Sequence, residues 1–281
     1  MVRERETEVE PVDVEGWARR YILSSELGVK IEPGEPPGNW ASSPTVERLE
    51  RPGRPVELGA PARRKRKSSV HSLRDAEARA RLLHSFWHHE LQAAELMCWA
   101  LLAFADAEPE FRRGLLGVCR DEMRHMRLYQ RHIEALGYRL GAFGIRDWFW
   151  QRVPSCPSKL SFVALMGMGF EAANLEYAPN FANMFEEVGD DVGAEVQRRI
   201  AAEELSHVAF ATHWFRRWTG GCDFRTWCEL LPPPLSPWVL RGQQLDLAAR
   251  TKAGMSEEFL TALAAFEPEL KGRPVAGSHT A

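Results

Sequence analysis

Two Glu-x-x-His segments constrain the fold of this chain more than any other feature of its sequence. The segments are Glu122 with His125 and Glu204 with His207. Each follows another glutamate by nearly the same interval, Glu90 in the first case and Glu171 in the second. Residues three apart lie on one face of an α-helix, so each segment can present a carboxylate and an imidazole to a common point. Four helices carrying this repeat can hold two metal ions between them, and the sequence predicts an all-α four-helix bundle.

Helix start and stop signals divide the chain into three predicted parts. Residues 1–72 combine one amphipathic helix, at roughly residues 12–27, with an extended segment rich in basic residues and proline. Residues 73–221 carry the signals of four long helices, and residues 222–281 indicate short helices that wrap the bundle, followed by a flexible tail. Pro179 should kink the third long helix. The boundary signals are Ser72, Pro109, Gly137, Ser158, Gly189, Asp190 or Asp191, Gly220 and Gly221.

Composition narrows the classes of protein to consider. The chain has no run of eighteen uncharged apolar residues and no apolar N-terminal centre, so we expect a cytoplasmic protein that does not contact a membrane. Its five cysteines lack a Cys-x-x-Cys spacing, which indicates neither a disulfide framework nor a thiolate zinc site. The net charge of −3 argues against bulk nucleic-acid binding. One basic run is a candidate RNA or phosphate contact, or else a solvated linker: Arg63, Arg64, Lys65, Arg66 and Lys67.

The Glu-x-x-His carboxylates are predicted to face apolar surroundings. Val118, Cys119 and Met126 flank Glu122 at helical spacing, and Glu204 has a similar set of neighbours. A buried carboxylate without a partner is costly, and a metal cation is the simplest compensation. Carboxylate and imidazole together suit iron or manganese better than thiolate-binding ions.

The upstream ligands are harder to choose, because each helix carries two glutamates five residues apart. Glu90 is echoed by Glu95 and Glu171 by Glu176, and a spacing of five turns the second side chain by about 140° around the helix. The neighbours of Glu90 and Glu171 are the more apolar. We therefore predict Glu90 and Glu171 as ligands and Glu95 and Glu176 as hydrogen-bond acceptors for the ligand histidines; the reverse assignment stays open.

Four segments together resemble a known family. They are HELQAAEL from His89, DEMRH from Asp121, the segment from Glu171 to Pro179, and EELSHV from Glu203. This set resembles the bacterial domain of unknown function family 455 of the ferritin-like superfamily, from about Trp17 to Gly254. The resemblance implies a ferritin-like bundle with a dinuclear metal site, similar to the diiron proteins that hydroxylate tRNA side groups, and it implies no particular substrate. Departures from the family pattern are at Arg146, Ala173 and residues 243–245.

The predicted chemistry is reductive activation of dioxygen at a non-haem site with two iron ions, or with manganese or mixed iron and manganese. Glu122 and Glu204 are the expected bridging carboxylates. Such a protein would oxidise or hydroxylate a small organic substrate, would need an external electron donor, and could form a homodimer. Tyr129 lies two turns after Glu122, an offset similar to that of the radical tyrosine in ribonucleotide reductase small subunits; a core tyrosine is the alternative. Two other functions stay open: a ferroxidase or metal-handling protein, and a helical scaffold with a vestigial site.

Overall fold

A computed structural model describes residues 13–59, 69–242 and 244–267, and this part of the chain is helical without a β-strand. The helices are α1 Val14–Leu23, α2 Leu27–Ile31, α3 Val70–Leu73, α4 Ala76–Ala103, α5 Pro109–Ala135, α6 Lys159–Leu165, α7 Ala172–Glu187, α8 Asp191–Thr219, α9 Phe224–Glu229, α10 Leu247–Lys252 and α11 Glu257–Ala265. The predicted all-α class is therefore confirmed. The Arg63 to Lys67 run and Gln243 lie outside the described residues.

Local sequence signals explain where most of the long helices begin and end. Pro109 occupies the first turn of α5, where its missing N–H costs no hydrogen bond. Ser158 opens α6 in a reciprocal capping box with Ser161, and the Asp190 side chain caps α8 by accepting from the Gly193 N–H. Gly220 ends α8 with a φ of 79°, a conformation that glycine adopts without strain.

Two predicted boundaries at the N-terminal side are wrong. Ser72 does not begin the first long helix, because it belongs to the capping box of Ser69 on the short helix α3. The Asp75 side chain caps α4 by accepting from the Ala78 N–H. The amphipathic stretch predicted as one helix ends at Leu23, and α2 forms a separate turn of helix. At the start of α4, Ser69 and Asp75 are the polar residues that compete with Ser72 as caps.

The third long helix consists of three segments. Between α6 and α7 the chain forms a π-helix at Met166–Glu171, and Pro179 lies within α7, which continues from Ala172 to Glu187. The helix thus departs from regular α-geometry at Met166–Glu171, while α7 continues through Pro179 and the kink there stays a prediction. A single π-helical turn rotates the residues that follow it relative to those before it.

The long helices pack as two hairpins. Helix α4 packs along α5 and α7 along α8, while α5 and the segment from α6 to the π-helix contact α8 across the bundle. Residues from α1, from the four long helices and from α9 to α11 share one hydrophobic core. No helix in the described residues is long and apolar enough to cross a membrane.

A buried ion network attaches the N-terminal segment to the bundle. Lys30, which is fully buried, donates to Glu95 Oε1 at 2.7 Å and to the carbonyl oxygens of Tyr21 and Ile22. Arg54 donates to both Glu95 oxygens at 2.6 and 2.8 Å. Each polar group in the network has a partner, which is the condition under which buried charge is tolerated in a core.

Candidate metal centre

Six side chains from the four long helices converge in the middle of the bundle. All six residues are buried, and none of them is more than 5% exposed. They are Glu90 on α4, Glu122 and His125 on α5, Glu171 at the end of the π-helix, and Glu204 and His207 on α8. The structure thus brings together all six residues that the sequence predicts as ligands, from positions more than one hundred residues apart.

These side chains form two overlapping groups that could each hold a metal ion. The first group contains Glu90, Glu122, His125 and Glu204, and the second contains Glu122, Glu171, Glu204 and His207. Within each group one ligand atom from every residue lies within 4.8 Å of the others. Glu122 and Glu204 belong to both groups. Two shared carboxylates, with one further carboxylate and one imidazole for each group, are the donor set of a dinuclear centre.

Both histidines present the same ring nitrogen to the site. His207 Nδ1 lies 3.0 Å from Glu122 Oε1 and 3.2 Å from Glu204 Oε2. His125 Nδ1 lies 3.4 Å from oxygens of Glu90 and Glu122 and 3.8 Å from Glu204 Oε1. The Nδ1 atoms therefore point inward and are the predicted donor atoms, and each Nε2 points away from the site.

The Nε2 atom of each histidine contacts a carboxylate on the other helix of the pair α5 and α8. His125 Nε2 lies 2.8 Å from Glu203 Oε2, and His207 Nε2 lies 3.2 Å from Asp121 Oδ2. Arg124 joins the two acids, donating to Asp121 at 2.7 Å and to Glu203 at 2.8 Å. A carboxylate behind a ligand histidine fixes the orientation of the ring and strengthens it as a donor. Each imidazole is thus oriented by the helix opposite its own.

This arrangement corrects the roles that the sequence suggested for Glu95 and Glu176. Glu95 belongs to the Lys30 and Arg54 network and also accepts from Trp150 Nε1 at 2.8 Å. Glu176 accepts from Arg250 Nε at 2.7 Å and Nη2 at 2.8 Å. A spacing of five residues turns both side chains away from the histidines. A better signal was available, since an acid immediately precedes each Glu-x-x-His segment.

Several polar atoms of the site have no hydrogen-bond partner among the described residues. They are both carboxylate oxygens of Glu122, Nδ1 of His125 and Oε1 of Glu171. A buried polar atom without a partner is uncommon and costly. The atoms belong to the two ligand groups, and cations bound by those groups would satisfy them. The residues present therefore fit a dinuclear metal centre.

The pKa values of the metal-free site show the same excess of negative charge. Burial and the adjacent Glu122 carboxylate raise the pKa of Glu90, and burial together with the charge of Glu204 raises that of Glu171. Burial alone would lower the pKa of His125, but the carboxylates of Glu122 and Glu90 outweigh it and raise the value to about 11. The pKa of His207 is also raised, mainly by Glu122 against the effect of burial. In the metal-free site, bound protons reduce the excess negative charge that metal cations would otherwise balance.

The π-helix brings Glu171 into the site and allows α8 to approach closely. A Cβ atom at Gly167 would lie 2.1 Å from Ala211 Cβ, and one at Gly169 would lie 3.1 Å from Leu240 Cδ1. These glycines therefore allow close packing against Ala211 and Leu240. π-Helical turns are frequent at functional sites because they redirect one side chain without ending the helix.

A cavity of about 1460 Å³ opens beside the site. Its wall includes the ligand candidates Glu90 and Glu171 together with Ala93, Tyr129 and Asn174. Tyr129 is 2% exposed, its ring lies 5.7 Å from that of Phe86, and burial raises the pKa of its hydroxyl well above the ordinary value. Tyr129 is thus both a core residue and part of the cavity wall. Asn174 Nδ2 lies 3.4 Å from Glu204 Oε1.

Comparison with known proteins identifies the family to which the chain belongs. The family model described as "Protein of unknown function (DUF455)" matches residues 20–261. An uncharacterized protein of Haemophilus influenzae is 27% identical over 147 residues, which cover 50% of this chain and 51% of that protein. The chain thus spans about half the length of the curated relative it matches. No solved structure matches the chain.

Proposed function

The chain belongs to the DUF455 family, and from that premise and the geometry of the site we propose that it is a dinuclear iron carboxylate protein that activates dioxygen to oxidise an organic substrate. The observation that carries the proposal is the pair of ligand groups sharing Glu122 and Glu204, placed beside a cavity. Glu90 with His125 would complete the shell of one ion, and Glu171 with His207 that of the other.

The donor set favours iron. Carboxylates and imidazoles suit iron and manganese, and neither group of the site contains a thiolate. When bound, two ferrous ions would supply electrons for the reduction of dioxygen, and manganese or a mixed pair is the alternative occupant. The proposed roles of Glu122 and Glu204 are to bridge the two ions and balance their charge. Glu203 and Asp121 orient His125 and His207 from outside, and an external donor would restore the electrons after each turnover.

The cavity supports an oxygenase over the two alternatives. A scaffold with a vestigial site would be expected to fill the space beside Glu90 and Glu171 with bulky side chains, but Ala93 and Asn174 line it. A ferroxidase needs a path only for ions, whereas a volume of about 1460 Å³ exceeds what water or dioxygen requires. Tyr129 stands in the cavity wall with a hydroxyl that holds its proton at neutral pH, and we include it as a proposed redox or proton-holding residue.

Metal content is the first test. Protein produced with iron should contain close to two ions per chain, as measured by elemental analysis, and the Glu122→Ala and Glu204→Ala variants should lose both ions because each removes a shared ligand. Glu122→Gln and Glu204→Gln keep the side-chain volume and guard against unfolding. Glu195→Ala changes an exposed glutamate on α8 and should leave the metal content unchanged. Full metal content in the Glu122 and Glu204 variants would refute the ligand assignment.

Reaction with dioxygen is the second test. Anaerobic ferrous protein mixed with oxygen should consume it and show a transient charge-transfer absorption in stopped-flow measurements. The Glu171→Gln variant should bind iron less completely and lose the transient. If fully iron-loaded protein consumes no oxygen, the oxygenase proposal fails and the site is structural or vestigial.

A further inference from the structure

The cavity beside the metal centre has an apolar inner end and a polar mouth. Buried residues line the inner end next to Glu90 and Glu171, and exposed residues line the mouth. The inner residues are Ala93, Tyr129, Phe170, Leu175, Gln197 and Ile200. The residues of the mouth include Tyr177, Asn180, Asn183 and Gln244. A molecule that fills this space would place an apolar part near the metals and a polar part near solvent.

The wall carries no unpaired charge that could bind a charged substrate. Among the described lining residues there is no lysine or arginine. Glu90 and Glu171 belong to the metal groups, while Glu176 is paired with the buried Arg250. Asp246 caps α10 by accepting from the Ala249 N–H. An anion entering the cavity would lose hydration without meeting a lysine or arginine, and the four carboxylates would already balance the charge of two divalent cations, which makes its transfer unfavourable.

Aromatic rings and amides supply the contacts that remain. The rings of Phe149 and Phe170 are stacked with centroids 4.7 Å apart, and the His89 ring lies 5.2 Å from that of Phe149. Gln197 is 1% exposed, and its Nε2 has no hydrogen-bond acceptor among the residues described. A buried amide N–H of this kind is satisfied by an acceptor atom on a ligand. Asn180 and Asn183 offer the same uncharged chemistry at the mouth.

We propose that the cavity binds an uncharged organic molecule that enters with an apolar, ring-sized end first and presents hydrogen-bonding groups to the amides. This inference rests on the proposed function, because it identifies the class of substrate that would be oxidised near Glu90 and Glu171. The volume of about 1460 Å³ is larger than the range of roughly 300–1000 Å³ that holds drug-sized ligands. The substrate is therefore larger than a simple hydrocarbon.

Two matched probes test the charge preference. 2-Naphthalenesulfonamide and 2-naphthalenesulfonate have nearly the same size and ring and differ in charge at pH 7. Equilibrium dialysis against iron-loaded protein under nitrogen should give a dissociation constant at least about tenfold lower for the sulfonamide. Equal or tighter binding of the sulfonate overturns the proposal. Absence of binding by both probes also overturns it.

Three variants test whether the probes bind in the cavity and whether the absence of a cation there sets the charge preference. Asn180→Lys adds a cation at the exposed mouth and should reduce the preference for the sulfonamide at least threefold, whereas Gln130→Lys makes the same change on α5 outside the cavity wall and should leave the preference unchanged. Ala93→Leu adds volume at the inner end and should weaken sulfonamide binding. If Asn180→Lys and Ala93→Leu behave like Gln130→Lys, the probes bind elsewhere and the proposal fails.

Metal analysis of the same sample separates this inference from the proposed function. Loss of the charge preference in protein that holds two metal ions refutes the substrate class and leaves the metal centre standing. If the protein binds no metal but still prefers the sulfonamide, the dinuclear function is refuted. The cavity would then bind uncharged molecules for a different function.

Discussion

Metal binding to this site should release protons. In the metal-free protein the pKa of His125 is raised to about 11, and those of His207, Glu90 and Glu171 are also raised. At pH 7 His125 therefore holds a proton, and the raised pKa values of His207, Glu90 and Glu171 favour their protonated forms. Glu122 is ionised, because its Glu90 neighbour and His207 lower its pKa against the effect of burial. A ligand must lose its proton to donate to a metal, so filling the site displaces these protons.

The structure sets the size of the effect. Occupation of both ion positions should release at least about one proton per chain at pH 7, that of His125, and more from those of the other three groups that are protonated. Two exposed histidines with a pKa near 6.5 would together release only about half a proton, and exposed glutamates none. The apparent affinity for metal should accordingly rise as the pH increases through the neutral range, because the proton is the competing ligand and its concentration falls.

Isothermal titration calorimetry in two buffers with different enthalpies of ionisation measures the number of protons released. Zinc, which undergoes no redox reaction, serves as the titrant for metal-free protein at pH 7. The Glu171→Gln variant removes one group whose pKa is raised and should lower the count, if it still binds two ions. Release of no more than about half a proton upon binding of two ions would show that His125 is not protonated in the metal-free protein and would refute the raised pKa of that imidazole.

The remaining predictions concern the surroundings of the site and the stability of the fold. Glu203→Gln should lower metal affinity by about 10- to 100-fold in chelator competition, since the acid orients His125; unchanged affinity would contradict this role. Glu95→Ala leaves Lys30 and Arg54 buried without their acid and should cost about 3–5 kcal/mol in denaturant unfolding, whereas Glu110→Ala, in an exposed pair, should stay within about 0.5 kcal/mol. Because the charges of Arg54 and Lys30 lower the pKa of Glu95 despite its burial, this stabilisation is lost as the pH falls below about 4.3. Gly167→Ala should destabilise by about 1–3 kcal/mol through contact with the side chain opposite, and a second change, Ala211→Gly, should restore much of the loss.

Helical periodicity and capping made much of this fold predictable from the sequence. Pro109, Ser158 and Asp190 act through neighbours within four residues, so their effect can be read locally. The same holds for the pairing of Glu122 with His125, which depends only on a spacing of three. The structure brings the six candidate ligands together. That they bind metal ions stays a prediction.

Contacts that depend on the position of one helix relative to another were not predictable in this way. Asp121 meets His207 and Glu203 meets His125 only because α5 and α8 align at one particular register. Glu95 was assigned to the wrong network because its partner Lys30 comes from the N-terminal segment, whose path over the bundle has no periodic signal. The π-helix at Met166–Glu171 is likewise set by packing, since the close approach of Gly167 to Ala211 is a tertiary contact.

In the metal-free bundle the carboxylates of the centre depend on protons and on two histidines for compensation, and this is itself an argument for metal binding. Glu95 and Glu176 show how the chain neutralises a buried acid when only structure is needed, because each is paired with an arginine. Among the described residues, the ion pairs of the centre's carboxylates are with His125 and His207 and not with a lysine or arginine. The cationic Arg124 lies outside the centre, against Asp121 and Glu203. A buried charge without a partner is tolerated only where something else compensates it. Two divalent cations would balance the four carboxylates, which leaves the neutral centre that a dry bundle interior requires.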